Sequence, residues 1–364
     1  MDDLTSGGIN ISKITIKNVA QLSGVSISTV SRVLNNNQTV DPALAHKVLA
    51  AAQALNYRPS MATHTMRNGT ANQIAFIVPT LEDSYYSTIA SGIIDTARQN
   101  GQNVIVMLSN SSEAQETECF RAVSRACVDG IIFSCNDARN PLTSFPELRN
   151  VPMVIAARRQ LIPGIPHVYS DNITAGYLAT KYLLRLRRQK IALFENFWTG
   201  AIRDYDTFLK AYNSPARGAF TAFDRYTGYC QALEEEGLSV DPNLIVYGGF
   251  SHEDGYASAQ ALLASAHDFD AVLIPNDRCA TGVLKLLNEQ GLHVPNQISL
   301  ICFNGGLMAN VVNPSLTMIQ QNNYELGVQA AVQLNNLIQK RPASDIKIDV
   351  NLVIKGSTSL SIQK

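Results

Sequence analysis

Within six consecutive positions, Ile27, Ser28, Thr29, Ser31 and Arg32 offer one aliphatic side chain, three hydroxyls and a guanidinium. Such a set suits nucleic acid. Hydroxyls pair with base edges or phosphates, a guanidinium forks a guanine or holds a phosphate, and an aliphatic chain touches a thymine methyl. A second polar set stands at the ends of apolar runs: Asp171-Asn172 after Val168-Tyr169, Asn276-Asp277 after Ala271–Pro275, and Asn304 after Ile298–Phe303. Carboxylates and amides pair with ligand hydroxyls, although Asp and Asn also cap helices at strand-to-helix turns. Catalytic patterns are missing: the chain has no GxSxG, Walker loop, GxGxxG or tellingly spaced carboxylate pair. Cys119, Cys127, Cys135, Cys230, Cys279 and Cys302 are scattered without a CxxC, and the six histidines show no HExxH. No catalytic residue, metal or cofactor is expected, and the thiols fit a reduced cytoplasmic protein.

The first set needs a scaffold, and its flanks supply one. Thr15 is a good N-cap for a short helix carrying Val19, Ala20 and Leu22. Gly24 breaks that helix, and Ser26 caps a second one with Val30, Val33 and Leu34 on its buried side. Two short helices joined by a glycine-containing turn form a helix-turn-helix, which is also a common αα-corner. Asp41-Pro42 then opens a third helix whose Leu44, Val48, Leu49, Ala52 and Leu55 lie at helical spacing.

The run from Thr15 to Pro59, VSxSTVSRVLN followed by VDPxxxxKVLAAAxxLNYRP, resembles the DNA-binding headpiece of the lactose/galactose repressor (LacI/GalR) family. That resemblance extends the DNA-contacting candidates to Thr15, Ser26, Ile27, Ser28, Thr29, Ser31, Arg32, Asn35, Tyr57 and Arg58. It also implies that residues 60–71 form a hinge helix bearing Ala62 and Met66. Met66 stands where the family has a leucine wedge that enters the minor groove and kinks the duplex.

The charge balance agrees. Residues 1–70 hold six basic and three acidic residues, a balance of +3. The remaining 23 basic and 27 acidic residues give −4, within a net −1 for all 364. Positive charge therefore gathers on the segment that would face phosphate. The chain is 46% hydrophobic and 16% charged, ordinary for a soluble protein. No run of apolar residues is long enough to span a membrane. Residues 1–14 are polar and acidic at the start, so a disordered leader is expected rather than a signal peptide.

From residue 72 the pattern changes to short apolar runs alternating with helices: 74–78, 104–108, 131–133, 153–155, 191–193, 271–274 and 298–301. Continuous apolar strands between helices predict parallel sheets covered on both faces, an α/β fold. About 290 residues of this exceed one sheet, so two doubly wound lobes are expected. The resemblance implies a periplasmic-binding-protein-like core over 72–364. Its first lobe would cover about 72–183 and 322–350, its second about 184–321 and 351–364, with a ligand cleft between them.

The resemblance also implies which residues face an effector in that cleft. They are Asp171 in YSDN, Arg225 in RYTGY, Phe250 in GGFSHEDGY and Asn276 in PNDRCATG, with Tyr85 and Tyr86 as an aromatic wall. Arg158, at a strand end, is a further candidate for an anionic group. Two departures stand out. Asn304, in Phe303-Asn304-Gly305, replaces a family aspartate, which leaves room for an effector other than a neutral sugar. Residues 196–223 exceed the family's connection and carry Trp198, Tyr205, Phe208 and Tyr212. They suit a loop over the cleft, a dimer contact or a surface excursion.

The expectation is a homodimeric transcriptional regulator, a repressor, binding near-palindromic operator DNA under allosteric control by a small molecule, a sugar or sugar derivative. Alternatives are a nucleoside or purine effector, a protein co-regulator, an activator, or a solute-binding protein. Residues 351–364 form no heptad-bearing tail, so no tetramer is expected.

Overall fold

The computed structural model describes residues 14–34, 40–57, 70–134, 140–159, 162–196, 202–214, 220–265 and 267–361. The expected leader, the hinge residues through Gly69, and Asn35, Arg58, Ala62, Met66, Cys135 and Trp198 lie outside them. The chain divides into two compact units, 1–71 and 72–364.

In the first unit, α1 (Ile16–Ser23), α2 (Ile27–Leu34) and α3 (Pro42–Ala54) surround a small core of Val19, Ala20, Val30, Val33, Val48, Ala51 and Ala52. Gly24 ends α1 at φ +69°, a left-handed conformation that glycine adopts without Cβ strain. Asp41 caps α3, accepting the Ala43 amide at 2.8 Å. The expected apolar faces need correction. Leu22 and Leu49 are each 55% exposed, and Leu44 is exposed at the first turn of α3. Ser23 takes the inward position next to Val19 on α1 and donates its hydroxyl to the Val19 carbonyl at 2.6 Å. Leu49 lies a quarter-turn away from the Val48–Ala52 seam.

In the second unit, the described strands form two six-stranded sheets. The first, in order β11-β5-β4-β3-β1-β2, uses β1 (Gln73–Val78), β2 (Asn103–Leu108), β3 (Gly130–Phe133), β4 (Met153–Ala156), β5 (His167–Ser170) and β11 (Ile346–Ile348). Its pairings are parallel. The helices α4 (Ser84–Gln99), α5 (Glu113–Arg125) and α12 (Asn323–Ile338) cover it. The second sheet runs β12-β10-β9-β8-β6-β7. It comprises β6 (Ile191–Asn196), β7 (Ile245–Gly248), β8 (Ala271–Ile274), β9 (Ser299–Phe303), β10 (Thr317–Gln321) and an antiparallel β12 (Val350–Val353). One face carries α6 (Asn172–Arg185), α7 (Tyr205–Tyr212) and α8 (Thr221–Glu235). The other carries α9 (His252–Ala264), α10 (Asp277–Glu289) and α11 (Leu307–Val311).

The chain passes between lobes at three places, near Asp171, Asn322 and Asp349. The first crossing was expected at about residue 183. It comes earlier because α6 packs on α8 and β12 of the second sheet. The two helices touch through glycine: a Cβ on Gly176 would lie 2.0 Å from the Arg225 carbonyl oxygen, and one on Gly228 2.0 Å from that of Ile173. This close approach sets Arg225 beside the start of α6.

The long connection after β6 folds into α7. Phe208 has no exposed surface, and its ring meets those of Tyr205, Tyr212, Phe223, Tyr226 and Tyr247. This part of the excursion belongs to the second lobe's core.

Candidate functional site: a helix-turn-helix surface and an inter-lobe cavity

The first candidate surface is the start of α2. Ser26 caps it, its Oγ accepting the Thr29 amide at 3.2 Å and lying 2.7 Å and 2.9 Å from the hydroxyls of Ser28 and Thr29. Ile27 (45% exposed), Ser28 and Arg32 face solvent. Thr29 and Ser31, expected to be exposed, are half-buried because they flank inward-facing Val30. Thr15 is exposed, and both its amide and its hydroxyl donate to Asn18 Oδ1, at 2.9 and 2.8 Å. Tyr57 is half-buried against the three-helix core and donates its amide to the Ala52 carbonyl at 2.8 Å. The surface thus pairs an exposed aliphatic side chain with hydroxyls at a helix N-terminus, where backbone N–H groups favour phosphate.

The second candidate lies between the lobes, at the carboxyl ends of the parallel strands, where open α/β sheets bind ligands. Asp83, Tyr85, Tyr86, Ala157, Arg158, Thr221, Arg225, Phe250, Pro275, Asn276 and Asn304 enclose a cavity of about 50 Å³. Seven of the eight residues expected to face an effector are among them.

Asp171 is the exception. Its Oδ1 caps α6 by accepting the Thr174 amide at 3.1 Å, and its Oδ2 lies 2.7 Å from the Lys347 ammonium. Burial opposes ionisation there, but the Lys347 ammonium and the Thr174 N–H outweigh it and hold the carboxyl below its ordinary value. The neighbouring Asn172 turns inward instead, 2% exposed, its Oδ1 accepting from Arg225 Nε and Gln321 Nε2, both at 3.1 Å.

Arg225 is the best-braced wall residue. Its Nη1 donates to the Pro275 carbonyl at 3.2 Å, and its guanidinium carbon sits 4.4 Å from the centre of the Phe303 ring. Burial lowers its pKa, with Glu195 opposing that shift. With Nε and Nη1 both anchored and the guanidinium held against Phe303, Arg225 stands fixed in the cavity wall. Tyr85 and Tyr86 meet edge to face with centroids 5.0 Å apart, and burial pushes the Tyr85 phenol up. Asn304, at φ +54°, accepts from Asn323 Nδ2.

Three residues escaped the sequence reading. Asp83 caps α4 through Oδ1, accepting the Tyr85 amide at 2.9 Å, while its Oδ2 accepts from Asn276 Nδ2 across the cleft at 3.2 Å. Burial raises its carboxyl above the ordinary value. Thr221 opens α8 at the cavity wall. Glu195, at the end of β6, is 2% exposed, its Oε1 meets no hydrogen-bond partner among the described residues, and burial raises it well above an ordinary glutamate. A lone acid in the apolar run IALFEN was the available signal. Asn276 also caps α10, accepting the Cys279 amide at 2.7 Å, so its capping and cavity roles coexist.

Two further pairs cross the cleft: Arg159 with Asp224 at 2.7 Å, and Glu82 with Arg278 at 3.3 Å. Among the described residues no cluster of ligating side chains suits a metal ion, and no helix is long and apolar enough to cross a membrane.

The chain matches two family models, one over each unit. Residues 15–60 match the family model of bacterial regulatory proteins, lacI family. Residues 71–356 match that of periplasmic binding proteins and sugar binding domain of LacI family. The chain is 29% identical to the HTH-type transcriptional regulator RegA of Clostridium saccharobutylicum, over 90% of this chain and 93% of the relative. It is also 29% identical to the HTH-type transcriptional repressor PurR of Histophilus somni, over 94% and 98%. The fold matches the lac repressor dimer bound to operator and an anti-inducer at TM-score 0.76 and 23% identity, covering 96% of this chain and all of that one. It matches the transcriptional regulator CelR in complex with cellobiose at 0.67 and 24%, covering 94% and 99%.

Proposed function

The chain belongs to the LacI family of bacterial regulatory proteins, and from that premise we propose that it is a cytoplasmic repressor whose grip on operator DNA is set by a hydroxylated small molecule, a sugar or sugar derivative, between its lobes. DNA-binding transcriptional regulation is the activity of the family. The effector and the sign of control are our reading.

One observation carries it. The cavity wall is drawn from both lobes, Asp83, Tyr85, Tyr86 and Arg158 on one side and Thr221, Arg225, Phe250, Asn276 and Asn304 on the other. A ligand touching both sides must sense the lobe–lobe angle. The chemistry is that of hydroxyl recognition: a carboxylate, two amides, two guanidiniums and aromatic faces. The enclosed volume of about 50 Å³ admits roughly four waters. A sugar ring therefore enters only by parting the lobes, and its binding energy is coupled to their spacing.

A two-fold dimer fits the reading, because a near-palindromic operator presents two half-sites. Leu307, Met308, Val311 and Ile354 are 49–72% exposed on the second lobe and supply an apolar surface for a second copy.

The test is a pair of titrations on the full chain. Selection from random duplexes should recover a near-palindrome, and a panel of sugars, sugar phosphates and nucleosides should yield a ligand that changes affinity for it. A purine or nucleoside alone shifting the affinity favours the alternative effector, which the flat walls of Tyr85 and Phe250 also accommodate. No change with any ligand in the panel contradicts the small-molecule reading.

A further inference from the structure

The enclosed cavity has an outer neighbour. Pro79, Thr80, Glu82, Asp83, Asn110, Ser111, Gly249, Phe250, Ser251, Asp254 and Arg278 line a second space of about 440 Å³. Asp83 and Phe250 belong to both walls, so the two spaces adjoin at these residues.

The position of the outer chamber follows from the strand order. Asn110 and Ser111 follow β2, and Gly249 to Ser251 follow β7. Those strands are the outermost of their sheets, at the opposite edge from the β5–β11 and β10–β12 ends where the chain crosses between lobes. The chamber is therefore the mouth of the cleft, on the side that opens most when the lobes hinge about the crossings.

Its chemistry repeats that of the inner cavity with a different charge balance. Thr80, Ser111 and Ser251 bring hydroxyls, Asn110 an amide, and Phe250 an aromatic ring at the boundary. Glu82, Asp83 and Asp254 set three carboxyl groups against the one guanidinium of Arg278. This balance disfavours an anionic group and favours a neutral, hydroxyl-rich one. The Glu82–Arg278 pair is exposed on both sides (78% and 46% of the side chains), so a ligand displaces it at little cost.

We propose that the outer chamber is a second subsite of the effector site, and that the ligand is a disaccharide or glycoside. One ring lies against Arg225 and Asn276, and a neutral second ring lies in the chamber beyond Phe250. This rests on the reading of the inner cavity as a sugar site. A volume of about 440 Å³ falls in the range of small-molecule sites, whereas the inner cavity alone does not.

The experiment titrates the full chain calorimetrically with matched pairs: glucose against cellobiose and maltose, galactose against lactose and melibiose, xylose against xylobiose. At least one disaccharide should bind tenfold or more tightly than its parent monosaccharide. Thr80→Trp, which puts an indole into the chamber, should bring that disaccharide down to the monosaccharide's affinity. Leu81→Trp, which puts the same indole on the neighbouring exposed position outside the chamber wall, should leave the preference in place and so reports that the fold tolerates the change. Equal affinity for both members of every pair overturns the second subsite and leaves the inner site standing. A preference that survives Thr80→Trp places the second ring elsewhere and also overturns it. Failure of every sugar to bind removes both this inference and the carbohydrate reading beneath it.

Discussion

Asn276 donates its amide to Asp83 Oδ2 at 3.2 Å, and the two side chains belong to different lobes. Each also caps a helix of its own lobe, Asp83 through the Tyr85 amide and Asn276 through that of Cys279. The lobe contact is therefore built from groups already held rigid by secondary structure. Asn276→Ala removes the cap and the bridge together. The core should lose about 1 kcal/mol of stability, in the usual range for an N-cap, read as a lower urea midpoint of residues 72–364. Ligand affinity should fall as well. An unchanged midpoint shows that the cap contributes nothing.

Glu195 makes stability depend on pH in a defined direction. Burial raises its folded carboxyl well above 4.5. Between 4.5 and that raised value the folded state holds a proton that the unfolded chain has released. Stability therefore falls as pH rises through this window and is highest below it. Glu195→Gln should flatten the slope and raise the melting temperature on the alkaline side, measured by calorimetry at a series of pH values. A parallel pH profile in wild type and variant contradicts the assignment.

Phe208 distinguishes a structural excursion from a lid. It has no exposed surface and sits among five aromatic rings. Phe208→Ala should cost about 3–5 kcal/mol, as for other buried phenylalanines. A variant as stable as wild type in urea shows that α7 packs weakly.

On the headpiece, Arg32→Ala should weaken operator binding, and Ile27→Ala should change which bases are preferred with a smaller loss of affinity, of about 1–3 kcal/mol for the altered base pair. Both effects are read by titrating a set of single-base operator variants. Identical profiles for wild type and both variants contradict the assignment of α2 as the recognition helix.

Much of this was legible because local chemistry and fold agree. Apolar runs such as Ile74–Val78 and Ala271–Ile274 are strands covered on both faces, and the polar residues after them stand at the cleft. What escaped is non-local. Asp83 reads as a helix cap, and it is one; nothing in its neighbours reveals that its second oxygen meets Asn276, 193 positions away. Family resemblance points to Asp171, but the Lys347 ammonium on β11 holds that acid and leaves the Asn172 amide to face Arg225. The allegiance of α6 turned on Gly176 and Gly228, whose role appears only when the helices are in contact.

The central claim is that ligand between the lobes and operator on the headpiece share one coupling free energy. Four affinities test it most directly: operator with and without the saturating sugar recovered from the panel, and that sugar with and without operator. The two ratios should be equal, at about 5–150-fold, and Arg225→Ala should abolish both by removing the guanidinium braced on Asn172 and Phe303. Operator affinity unmoved by a sugar that demonstrably binds the cleft would contradict the account.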